Sequence, residues 1–355
     1  MIVKHDEMTP RERMVAFFAG KEYDRLPCCP SLGETCAPLL GVKICDYYNS
    51  TDKMVMVETE VFRKFRPDSA GIGLGLRGIP DAMGAKIGYP DYGIAYISEP
   101  LVNDYSDIDN LNIINPLKDG CLPAIIEANQ RIRNAIGSEV SVGAGIAGPF
   151  TVAAAIRGTE NFLKDIYINP SAVHKLLEIV TENCLRYIDT VCSMGFSSGV
   201  GDPVASGSVI SLKHFREFAK PYIKLCHERI KKLTGSGGRL HICGRTKDFW
   251  DDMIDCGAGI LSIDNIEDMG EASSAVGEKT CLMGNVDPVK VIKEGTVNDV
   301  FSDVKECIKK AGDNPGGFIV SSGCQVPAGS PAENIQAMMD ATRIYGQYKY
   351  RGGIQ

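Results

Sequence analysis

Eight short apolar runs, each followed or preceded by an amphipathic stretch, leave few folds open to this chain of 355 residues. The runs are residues 25–30, 69–74, 140–146, 197–201, 239–243, 259–263, 280–283 and 317–321. Between them lie segments such as 170–193, 212–233 and 299–311. In the second of these, Phe215, Phe218, Tyr222, Cys226 and Ile230 recur at spacings of three and four, the period of a helix with one buried face. The last helix is announced by Ser330 as N-cap, Pro331 at the first helical position and Glu333 completing a capping box ahead of Ile335, Met338 and Met339. Strands alternating with helices call for a parallel sheet, and a closed barrel of eight such units takes about 250 residues. The expected fold is therefore α/β, a single (β/α)8 TIM barrel. Residues 1–24 form an N-terminal helical extension, with a helical stretch at 10–18. Residues 81–120 form an insertion over the rim, and 347–355 a loose tail. An open doubly wound sheet would also gather strand ends, but has no reason to bring the first beside the eighth.

Composition narrows the function classes. With 44% hydrophobic and 23% charged residues the chain is ordinary for a globular protein, and a net charge of -7 without a basic cluster argues against nucleic acid and anionic membrane as partners. No stretch approaches the roughly 18 uninterrupted apolar residues of a membrane span, and the N-terminus has no apolar signal core, so a cytoplasmic protein is expected. Thirteen cysteines are scattered rather than framed as a secreted disulfide scaffold. Cys184, Cys192, Cys226 and Cys307 fall among apolar neighbours in helical patterns and are expected to be core residues. Such free use of thiols fits a reducing interior, as in an anaerobe.

The chemistry-bearing residues sit at or just past the ends of different runs: Glu34, Asp202, His241 with Cys243, Asp264, Asn285 and Cys324. A barrel collects those ends on one rim. In Leu240-His-Ile-Cys243 the strand period of two sends His241 and Cys243 to the same side. With Cys324 in Ser321-Ser-Gly-Cys324 as a distant partner, the three suggest zinc with an open coordination position, although a His and a Cys at this spacing are equally compatible with packing roles. Asp264 is a fourth metal ligand, a group behind the ligands, or simply a helix N-cap. Asp202 orients substrate or closes an Asp-Pro turn. Asn285 points toward the rim, while Asp287-Pro288 starts the next helix. Phe150 joins Glu34, Asp202 and Asn285 as a substrate-binding residue. Gly143-x-Gly-x-x-Gly148 matches the dinucleotide pattern, but Pro149 follows it and no suitable acid lies about 20 residues on, so nicotinamide binding is rejected. His5, His174, His214 and His227 are read as surface or packing residues, and Trp250 as packed on the barrel exterior.

Leu240-His-Ile-Cys-Gly244, Gly201-Asp-Pro-Val-Ala-Ser206, Met283-Gly-Asn-Val286 and Gly323-Cys324 with Pro327 resemble the corrinoid-dependent methyltransferase branch of the uroporphyrinogen decarboxylase superfamily. The likeness runs through the whole chain, from Met8-Thr-Pro-Arg-Glu-Arg13 and Asp24-Arg-Leu-Pro27 onward. It implies a zinc site of His241, Cys243 and Cys324, and transfer of a methyl group to or from cobalt held by a separate corrinoid protein. This chain lacks the Asp-x-His-x-x-Gly element of cobalamin carriers, so the corrinoid would arrive on that partner. The wording of the loops is more similar to acetogen O-demethylase components, which implies a methyl ether such as a methoxylated aromatic as donor. A methylcobamide:thiol (coenzyme M-like) methyltransferase is the alternative. A uroporphyrinogen decarboxylase is a further one, but where those enzymes carry an arginine-rich motif this chain reads Ser31-Leu-Gly-Glu-Thr-Cys36, and an acid would repel a polycarboxylate. A non-enzymatic binding module with a structural zinc is the remaining class.

Overall fold

In the computed structural model, residues 5–347 are described. The first four residues of the expected extension and all of the expected tail beyond Gln347 lie outside them. A short antiparallel hairpin, β1 (Ile87–Gly88) and β2 (Tyr96–Ile97), falls in the segment read as an insertion. The remaining strands are β3 (Ile146–Ala147), β4 (Val200–Gly201), β5 (Arg239–His241), β6 (Ile260–Ser262), β7 (Cys281–Val286) and β8 (Phe318–Ser322). β3, β4 and β5 pair in sequence order, and so do β6, β7 and β8. Every one of these six strands lies within or overlaps a run picked out by its apolar character.

The chain divides into two compact units. One comprises the residues up to Gly71, Gln130–Val142 and the chain from Ile260 on. Its strands β7 and β8 are buried at every position, the pattern of strands covered on both faces, and they pair in parallel from Leu282 opposite Phe318 to Val286 opposite Ser322. The first run pairs with the last strand: Cys28 bridges Val320 in parallel, and Asp68 N–H donates to Cys28 O at 2.9 Å to bring in the second run. The helix Pro10–Phe18 starts with the capping box of Thr9 and Glu12. Its Arg13, fully buried, bonds Asp24 and Asp68, while Arg25 bonds Asp6 and Asp68. The arginine and aspartate motifs near the N-terminus are thus a buried ion network that fastens the extension to the first strand.

The other unit holds Ile72–Asn129 and Gly143–Gly259. Here β3 pairs with β4, and β4 with β5, all parallel, with Gly201 opposite His241. The helix Pro170–Ser193 is capped by Asn169 and buries Val173, Leu176, Leu177, Val180, Cys184, Tyr187, Ile188 and Val191, the three-and-four spacing of one apolar face. The single helix expected over 212–233 is interrupted by a wide turn at Phe215–Ala219 before Lys220–Thr234. Pro221 has no N–H to return to the preceding turn, so the ladder opens there. The last helix also departs from expectation. It runs Ala332–Tyr345 with Pro331 as N-cap and no side-chain cap, because the Ser330 hydroxyl donates to Pro327 O at 2.8 Å instead. Asp287 does start a helical turn, accepting from the N–H groups of Val289 and Lys290.

Cys184, Cys192, Cys226 and Cys307 are buried and unbridged, as expected of core thiols. Trp250 is buried with its indole N–H on Thr246 Oγ1 at 3.1 Å. His174 stacks on Phe218, His214 meets the edge of Tyr167, and His227 is buried against Gly237 O; all three pack rather than present themselves to a ligand. No helix among the described residues is long and apolar enough to cross a membrane.

Candidate metal centre

The parallel register of β5 positions the first two residues of the candidate site. Asp202 N–H donates to His241 O at 2.8 Å, which continues the ladder past Gly201 and sets the pitch of the strand as it ends. Two residues on, Cys243 faces the same way, and His241 Nε2 lies 3.3 Å from Cys243 Sγ. Gly244 then turns the chain at φ 74°. Cys324 follows β8 and Gly323, whose missing side chain matters: a Cβ there would stand 2.4 Å from the backbone nitrogen of Asn265. His241, Cys243 and Cys324 are all half-buried. They are the group of three among the described residues whose donor atoms could hold a metal ion.

The remaining expected site residues fall into two classes. Asp264 is not in that group. Its Oδ1 accepts from Ile266 N–H at 3.1 Å, and its carbonyl accepts from Asn285 Nδ2 at 3.1 Å. Asn285 donates also to Glu267 O at 2.8 Å and accepts from Cys307 Sγ at 3.6 Å, so its amide ties down the turn after β6. The Gly284–Asn285 peptide is cis, and Gly284 has no room for a side chain, its Cβ position being 2.7 Å from Ile263 O. Glu34 opens the turn Glu34–Leu40, is half-buried, and accepts from the Tyr48 hydroxyl at 3.1 Å.

Two expected substrate contacts are buried in the structure. Asp202, read as a substrate contact, is fully buried and turned toward the helix Pro149–Arg157. Its Oδ1 accepts from Thr151 N–H at 2.7 Å and from Thr151 Oγ1 at 2.5 Å, and its Oδ2 from Phe150 N–H at 3.3 Å. It supplies the cap that Gly148 cannot, a favourable place for a carboxylate. Burial nonetheless pushes its pKa up to about 6 against the lowering effect of those donors. Phe150, also read as a substrate contact, is fully buried and packs edge-on against Phe162 with centroids 5.0 Å apart. It is core.

One acid escaped notice in the sequence. Glu58, on the helix Thr51–Phe65, is buried and accepts from the Tyr47 hydroxyl at 2.7 Å. Burial raises its pKa to about 7, helped by the charge of Glu34 and opposed by the Tyr47 hydrogen bond. Nothing in the spacing singles it out, since a Glu amid helical residues is ordinarily a solvated one.

Comparison with known proteins identifies the family. The sequence model of uroporphyrinogen decarboxylase (URO-D) matches residues 9–345. The chain belongs to that family. The methylcobamide:CoM methyltransferase MtaA of Methanosarcina barkeri is 24% identical over 347 residues, 96% of this chain and 99% of the relative. A uroporphyrinogen decarboxylase of Trichodesmium erythraeum is 27% identical over 303 residues, 81% of this chain and 80% of that protein. Among solved structures, a methyltransferase from Methanosarcina mazei superposes with a TM-score of 0.84 at 24% identity, covering 96% of this chain and 99% of that one. The fold is the (β/α)8 barrel of the URO-D family, as the alternation of runs and helices had predicted.

Proposed function

We propose that this protein is a zinc-dependent methyltransferase that moves a methyl group between a small molecule and the cobalt of a corrinoid carried by a separate protein. The observation that carries the reading is the donor set of one imidazole and two thiols, His241, Cys243 and Cys324, a group that could hold a metal ion. The donor set fits zinc. Two thiolates and a neutral imidazole balance a divalent, borderline-soft ion, and three protein ligands leave the fourth tetrahedral position for a reactant. Zinc held there supplies Lewis acidity, lowering the pKa of a thiol or stabilising a departing oxygen.

The chain's own residues do the rest. The β5 register holds His241 and Cys243 on one side, Gly244 releases the chain immediately after them, and Gly323 lets Cys324 approach the turn after β6. Asp264 is proposed to support that turn rather than to ligate, given its bond to Ile266 N–H. On substrate, the relatives named for methylcobamide and coenzyme M favour a thiol partner, read in the sequence as the alternative, over the methyl ether. The family resemblance sets the segment holding Glu34 against the arginine-rich motif of the decarboxylases, and an acid there disfavours a polycarboxylate by like-charge repulsion.

The test is to incubate zinc-loaded protein with methylcobalamin and a panel of thiols, and in a second arm with cob(I)alamin and methoxyaromatics, following the cobalt absorbance. Demethylation of methylcobalamin by a thiol supports the reading and its thiol form. Methylation of cob(I)alamin by an aryl ether supports the reading with the other substrate. No change at cobalt in either arm, together with decarboxylation of a porphyrinogen, ends it.

A further inference from the structure

The loop after β4 is built against the strand end that carries two of the ligands. Three hydrogen bonds join residues 202–208 to residues 241–245: Asp202 N–H to His241 O at 2.8 Å, Gly207 N–H to Arg245 O at 2.9 Å, and Arg245 N–H to Ser208 Oγ at 3.0 Å. They bracket Cys243 along the chain, one before it and two after. Between them Gly244 leaves no slack, since a Cβ there would stand 2.6 Å from Ser208 Oγ and 2.8 Å from Ser206 Oγ. Ser206 Oγ also accepts from Ser208 N–H at 3.1 Å, which stiffens the loop internally.

The other end of the loop is bolted to the start of the helix Pro149–Arg157. Asp202 receives the N–H groups of Phe150 and Thr151 and the Thr151 hydroxyl, and that same hydroxyl oxygen accepts from Val204 N–H at 3.0 Å. Thr151 and Asp202 therefore close a small ring of hydrogen bonds through the first residues of the loop. Gly148 is part of the fit: a side chain at that position would come within 2.1 Å of Asp202 Oδ2.

We propose that Asp202 is a positioning residue for the metal centre: anchored on Thr151, it holds the 202–208 loop so that the loop fixes the separation and direction of His241 and Cys243. This rests on the zinc reading above. It assigns Asp202 no contact with substrate or metal. Groups that orient ligands from behind are worth about 10–100-fold in metal affinity when removed.

The experiment is a zinc titration of metal-free protein against a chromophoric chelator, with the visible spectrum of the cobalt(II) form as second readout, on wild type, Asp202→Asn, Thr151→Val and Thr151→Ser. Wild type is expected to bind one zinc. Asp202→Asn and Thr151→Val are expected to bind it 10- to 100-fold more weakly with shifted cobalt(II) bands, and Thr151→Ser, which keeps the hydroxyl, to behave as wild type. Thermal melting of the metal-free forms reports folding separately, and Thr151→Val carries the test if Asp202→Asn does not fold. Affinity within twofold of wild type and an unshifted cobalt spectrum in the folded variants would overturn the positioning role and leave the zinc reading intact. A wild type that binds no zinc removes the zinc reading itself, and the positioning role with it.

Discussion

Replacing Glu58 by Gln should remove a pH dependence of stability that the wild-type protein carries. Glu58 is a buried residue of the helix Thr51–Phe65 and bonds Tyr47 of the helix Ile44–Tyr48, with Tyr47, Glu34 and Cys36 as the titratable groups around it. Its pKa rises from 4.5 to about 7 in the folded state, chiefly through burial. Between those values the folded protein keeps a proton that the unfolded chain has released, so stability falls as pH rises. The contribution is fully lost above about pH 7. Each pH unit of difference is worth about 1.4 kcal/mol, so the loss amounts to about 3 kcal/mol. Gln at this position keeps an oxygen for the Tyr47 hydroxyl and does not titrate. Asp202, raised to about 6, and His227, lowered to about 4, titrate alike in both proteins and cancel in the comparison. Urea unfolding of both proteins, at steps from pH 4.5 to 8, should show wild type losing about 3 kcal/mol relative to the variant. Parallel curves across that range would refute the assignment of a buried, proton-retaining acid.

Other substitutions probe the frame and the site separately. Asp68→Asn leaves the buried guanidinium groups of Arg13 and Arg25 without the carboxylate they share, and should cost about 3–5 kcal/mol of stability in denaturant titrations. Phe150→Ala empties a fully buried aromatic site and should cost about 3–5 kcal/mol, with no selective effect on substrate affinity in whatever activity remains. His241→Ala should abolish metal retention and methyl transfer while the melting temperature of the metal-free protein stays near wild type, because the residue is half-buried at a strand end and not in the core.

Much of the architecture was legible because it depends on burial alone. Apolar runs such as 280–283 and 317–321 became strands buried at every position, and the three-and-four spacing of 170–193 became the buried face of one helix. The His-x-Cys pair was legible for a similar reason, since strand period fixes which side chains share a face. What spacing cannot show is where a polar side chain finds its partner. Asp202 looked like a rim acid, yet it turns back to cap a helix through Thr151, 51 residues earlier, and Thr151 carried no mark of being its partner. Ser330 read as a helix cap until the carbonyl of Pro327 took its hydroxyl. Glu58 is the clearest case: its burial is decided by Tyr47 and the packing of two helices, neither of which leaves a trace in local pattern.

The central claim is that one zinc ion is held by one nitrogen and two sulfurs. X-ray absorption at the zinc edge of the purified protein tests it directly. Scattering from two sulfurs at about 2.3 Å and from nitrogen or oxygen at about 2.0 Å is expected, with one sulfur lost in Cys243→Ser and one in Cys324→Ser. A shell of four sulfurs, a shell with none, or a spectrum unchanged by either substitution would contradict it.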